Sequence, residues 1–255
     1  MSDTEQKQIA ETIDGTARSP VDFRDAYRSV DADKKRKAFI MLGAAGAAMA
    51  VLLISRLLWL FEPLLDKIYY GTLSEIIYYI MLAVLFVPFV IGLNIFVKRY
   101  TAERIFLPQK KSLSFTRALG IITIGAVTVF IAGAVFDFKL KIQLEMGMGV
   151  TIASALTNIT VYFYYALHLW LGLTAAALVQ RALTVLFPAK YEVPWGAIFL
   201  VAVFGITELI FEYATTDHMY PWLYYMFTYA YAAIYVLSGH SFHLTYWASV
   251  VILVL

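Results

Sequence analysis

Runs of about 20 predominantly apolar residues recur along this chain, and that is the length a helix needs to cross the hydrocarbon core of a bilayer. They fall near Ala38–Phe61, Glu75–Val97 and Phe115–Phe136, within Gly149–Phe187, and at Trp195–Ala214 and Met219–Ser238, with a shorter one from Phe242 to Leu255. The expected fold is therefore all-α, a polytopic transmembrane bundle of about seven to eight membrane helices. The Gly149–Phe187 run is too long for one straight crossing. It is either a tilted helix that overshoots the membrane or a span followed by a short interfacial helix.

Composition supports the same class, since 61% of residues are hydrophobic and 15% charged, with a mean hydropathy of +0.73, far from a soluble domain. The chain has no cysteine, which removes disulfides, thiolate metal sites and thiol nucleophiles. A net charge of +2 does not argue for nucleic acid. Three regions are expected: residues 1–37 as a polar cytoplasmic tail, 38–148 as amino-terminal transmembrane helices and 149–255 as a core of membrane helices. The tail has too few large apolar residues to bury a core. Its "VDFRDAYRSV" reads as a solvated linker in preference to an amphipathic interfacial helix. Cations gather in "DKKRK" before the first span, in "VKRYTAERIFLPQKKSLSFTR" after the second, and at Arg181 and Lys190 after the fourth. By the positive-inside rule the amino terminus is cytoplasmic.

No phosphate loop, zinc-protease helix or nucleophile elbow is present. His240 and His243 are three apart, but Gly239 beside them predicts a turn between two spans, and a metal site needs further ligands. His168 in "YYALHLW" reads as an interior or lipid-interface residue. Glu208 and Glu212 in "FGITELIFEY" share a helical face and, with His218, His240 and His243, make a possible polar cluster. An acid at membrane depth is costly and faces a partner or a cavity.

From Thr174 onward the order of features resembles the CPBP family of CAAX prenyl proteases and bacteriocin-processing membrane proteins. That family carries Glu-Glu-x-x-x-Arg, then Phe-x-x-x-His on the next helix, then His-x-x-x-Asn on the last. Here Ala176-Ala177-Leu-Val-Gln-Arg181 stands at the first motif, with the arginine present and both glutamates replaced. Phe204-Gly-Ile-Thr-Glu208 stands at the second with glutamate for histidine. "WLYYMFTYAYAAIYVLSG" resembles the glycine- and tyrosine-rich helix that follows, and in the last helix Ser249 and Leu253 take the histidine and asparagine places.

The resemblance implies that Ala176, Ala177, Arg181, Phe204, Glu208 and Ser249 converge, without the general base and oxyanion donors that peptide hydrolysis uses. It implies an inactive member, with no cofactor or metal, whose partners are the lipid bilayer and another integral membrane protein or peptide. The rival readings are a peptidase with a rearranged site built on Glu208, Glu212 and the histidines, and a small transporter or channel subunit. Arg181 is either the partner of Glu208 or an interfacial anchor at the end of its span.

Overall fold

The computed structural model describes residues 23–57, 72–102, 113–135, 152–188, 193–207, 209–210 and 221–254. A backbone surrounded by lipid has no water to bond and closes its hydrogen bonds within each segment. Every regular element among the described residues is accordingly helical. In chain order these are α1 (Phe23–Ser29), α2 (Ala32–Leu57), α3 (Thr72–Thr101), α4 (Phe115–Val135), α5 (Ile152–Leu186), α6 (Trp195–Phe199, continued by a π-helical stretch, Leu200–Gly205), α7 (Pro221–Leu237) and α8 (Phe242–Val254).

Four apolar stretches are long enough to cross a bilayer: Ala32–Ser55, Ile76–Thr101, Phe115–Val135 and Ile159–Leu186. Three more are apolar but shorter, Trp195–Gly205, Tyr225–Leu237 and Phe242–Ile252. The chain is thus an all-helical bundle of the membrane type, with four full-length spans among the described residues. The long run after residue 149 forms one unbroken helix of 35 residues, about 52 Å at 1.5 Å per residue. The reading of "VDFRDAYRSV" as a linker is corrected, because Phe23–Ser29 is helical. What holds it is Tyr27, whose ring lies 6.3 Å from that of Phe187 and beneath the Lys35 ammonium at 4.6 Å.

α5 is the centre of the bundle. From Leu171 to Gln180 every residue is buried, and α2, α3, α6 and α8 all pack against this helix while α4 lies outside, on α7 and α8. Of the apolar window of α5, 72% is buried inside the protein, against 11% for α4. α4 is therefore the least covered of the four long spans among the described residues.

Ring contacts fix the directions. Tyr79 and Phe86 of α3 meet Tyr164 and His168 of α5 in the same order, so the two helices run parallel. α2 follows α1, which sits at the far end of α5, and so runs antiparallel to both. α4 begins near the α7–α8 turn, with Arg117 close to Gly239 and Gly120 against Leu237. One end of the bundle thereby collects Lys34 to Lys37, Lys98, Arg99, Arg117 and Arg181.

Truncations should separate inside from outside. Leu173→Ala, at a side chain with no exposure, is expected to cost about 2–5 kcal/mol. Ile122→Ala, 66% exposed on α4, should change detergent-solubilised stability by less than about 0.5 kcal/mol. Thermal melting of the two purified variants checks both.

Candidate functional site

Ala176 and Phe204 lie along the contact between α5 and α6, and small residues set how closely those helices approach. A Cβ on Gly196 would fall 2.7 Å from the Ala176 carbonyl oxygen and 2.6 Å from a ring carbon of Tyr235. Only glycine lets the start of α6 rest on the backbone of α5 and on α7 at once. Further along, a Cβ on Gly172 would stand 2.7 Å from the Phe204 ring. Phe204 fills that notch and reaches His168, ring centroids 5.6 Å apart.

Gln180 locks the upper end of the same contact. A helix start leaves backbone N–H groups without partners, and Pro194, at the cap position of α6, supplies no side-chain acceptor. Gln180 supplies it from the neighbouring helix, its Oε1 accepting from the Gly196 N–H at 2.8 Å. Its Nε2 donates to the Val193 carbonyl at 2.9 Å and to the Thr184 hydroxyl at 3.2 Å. One buried amide therefore ties α5 to the strand of chain that enters α6. At the other end of the α6 region, the π-helical stretch brings Leu200 and Phe204 to the interior, and the Tyr225 hydroxyl of α7 donates to the Val201 carbonyl at 3.4 Å.

α8 turns one face inward, Phe242, Thr245, Tyr246, Ser249 and Ile252. Trp170 of α5 meets Phe242 and Tyr246 edge-on at 4.9 and 4.7 Å. The preceding turn is held by Ser238, which accepts from the Ser241 N–H at 3.1 Å and pairs with the Thr245 hydroxyl at 3.1 Å. Gly239 and His240 both take positive φ, 67° and 63°, as the reversal after α7 demands.

Each sequence-predicted position can now be placed. Ala176 and Ser249 expose no surface, and Ala177 and Phe204 expose 4% each. Ala176 meets Gly196, and Phe204 meets Gly172 and His168. Arg181 is half-buried at the basic end, nine residues along α5 from Gly172, or about 13 Å. It thus lies well away from the level of Phe204. His240 sits in the turn with its ring 5.2 Å from Tyr235, and His243 lies in the first turn of α8 beside Phe242. They do not share one helix. Glu208, Glu212 and His218 lie outside the described residues. Among the described residues no three His, Cys, Asp or Glu side chains come within reach of one metal ion.

Chemically the centre of this arrangement is packing. Among the described residues the buried Ser249 hydroxyl has no hydrogen-bond partner. Gln180, Gly172 and Gly196 are the residues that sequence reasoning passed over. The signal for Gln180 was available: an uncharged amide within an apolar run needs a partner as surely as an ion does. No protein-family model, curated protein or solved structure matches the chain.

Two substitutions test the α5–α6 contact. Gly196→Ala has no room to form against the Ala176 backbone and should cost about 1–3 kcal/mol. Gln180→Leu keeps the volume but leaves the Gly196 N–H and Val193 carbonyl unpaired, for a loss of about 1–3 kcal/mol. Gly43→Ala, with nothing within 4 Å of the new carbon, should leave the melting temperature in detergent unchanged or higher.

Proposed function

We propose that the chain is a CPBP-like integral membrane protein in which packing has replaced proteolytic chemistry. It acts by binding another integral membrane protein or peptide, as scaffold, immunity factor or regulatory subunit. The observation that carries this reading is that Ala176 and Ser249, at the first and third motif positions, expose no surface. A hydrolase needs its attacking water at that place, and these two side chains are closed to solvent. The basic end of the bundle faces the cytoplasm, and the amino terminus with it. Arg181 serves there as an interfacial anchor, a role its distance from Phe204 along α5 favours over a pair with Glu208.

The purified chain in lipid nanodiscs should not cleave a farnesylated CAAX peptide or a leader peptide. Turnover that survives removal of contaminating proteases and disappears in Glu208→Gln would replace this reading with a peptidase of rearranged site. The binding half has its own test. Photo-cross-linking residues placed at Ile122 and Val127 on the exposed face of α4 should yield a discrete protein adduct in native membranes. Adducts with lipid alone would remove the partner.

A further inference from the structure

A groove of about 690 Å³ runs between α2 and α3, lined without a single charged side chain by Ile40, Gly43 and Ala47 on one wall and Pro88, Gly92 and Phe96 on the other. It is open because its walls are bare: a Cβ on Gly43 or on Gly92 would touch nothing within 4 Å. Both walls follow helical stripes. On α2 the stripe reads Arg36, Ile40, Gly43, Ala47; on α3 it reads Pro88, Gly92, Phe96, Arg99. Steps of three and four keep each set on one helix face.

Because the two helices are antiparallel, the arginines that end the two stripes stand at the same mouth of the groove. Arg36 and Arg99 are both exposed. Lys98 adds a third exposed cation beside them, whereas Lys37 is already engaged by Asp33 at 2.7 Å. An apolar groove whose two stripes each continue, within about one helical turn, to an exposed arginine at the same end, Arg99 lying over the Tyr100 ring at 5.9 Å, has the polarity of one ligand class: an acyl chain ending in an anion.

We infer that the α2–α3 groove binds an anionic phospholipid, one acyl chain lying against Gly43 and Gly92 and the phosphate held by Arg36 and Arg99. Basic clusters where transmembrane helices meet the surface attract such headgroups, and arginine's planar fork suits a phosphate better than lysine's point charge.

Native mass spectrometry of the full chain, released from micelles containing equal amounts of dioleoylphosphatidylglycerol and dioleoylphosphatidylcholine, tests this. The expected result is a saturable phosphatidylglycerol adduct favoured about tenfold over phosphatidylcholine, each cation at the surface contributing a several-fold attraction. Replacing both arginines, Arg36→Gln with Arg99→Gln, should bring that preference close to unity while chain occupancy persists. Gly92→Leu, which fills the groove with a better helix former than glycine, should reduce adducts of both lipids about tenfold; Gly43→Leu fills the other wall and serves if Gly92→Leu is not recovered folded.

Equal binding of the two lipids by the unmodified chain overturns the proposal. So does a phosphatidylglycerol preference abolished by the arginine variants but untouched by either leucine, which is surface attraction with no groove. A dimer mass that vanishes in Gly92→Leu would make the occupant a second copy of this chain and likewise overturn it.

Discussion

Where a helix start is covered by protein, its first N–H groups need acceptors that come from protein. Gln180 meets that need for α6 with an acceptor at 2.8 Å, and spends its donors on Val193 and Thr184. The register of α6 on α5 is thereby fixed at one point. Gly196 can then lie on the Ala176 carbonyl, Tyr235 of α7 closes over Gly196, and Phe204 reaches the notch at Gly172 further along. The inner arrangement of the carboxyl-terminal half follows from that one tie.

Span positions were legible in the sequence to a degree that depended on their borders. α4, α6 and α8 begin at Phe115, Trp195 and Phe242, where the apolar runs themselves begin. Polar or proline-containing segments mark those points. The interior was not legible in the same way. α5 has a hydropathy of 1.5 over its window and is the most buried of the four long spans, whereas α4 has 2.3 and is the least. Lipid tails are as apolar as a protein core, so in a membrane hydropathy does not distinguish inside from outside. What marks the inside is small and uncharged polar residues: Gly172, Thr174, the three alanines from Ala175 to Ala177, and Gln180. Arg181 drew attention because it is charged, yet the neighbouring amide makes the contact that joins two helices.

The same small residues set how closely the helices meet. Alanine at position 176 leaves the α5 backbone open to the start of α6, where Gly196 lies against the Ala176 carbonyl. Glutamate at Ala176 would meet a packed wall, with no exposure for a hydrated carboxylate. The small side chain at Ala176 and the close approach of α6 go together, since a larger residue there would clash with the wall that Gly196 forms. Specificity of helix pairing here comes from small residues and a satisfied amide, the means by which membrane helices associate without a hydrophobic drive between them.

The length of α5 has a mechanical consequence. Its uncharged apolar part, which ends where Arg181 enters the helix, runs over residues 159–180 and spans about 33 Å, some 3 Å more than an average hydrocarbon core. Such a mismatch is relieved by tilting the helix, by stretching the bilayer around it, or by both, at a fraction of a kcal/mol for each ångström left over. A lone helix would simply lean. α5 is enclosed by α2, α3, α6 and α8, so it leans only if the whole bundle does, and the residual strain passes to the surrounding lipid. Tilt in this protein is therefore a property of the bundle and not of any one helix.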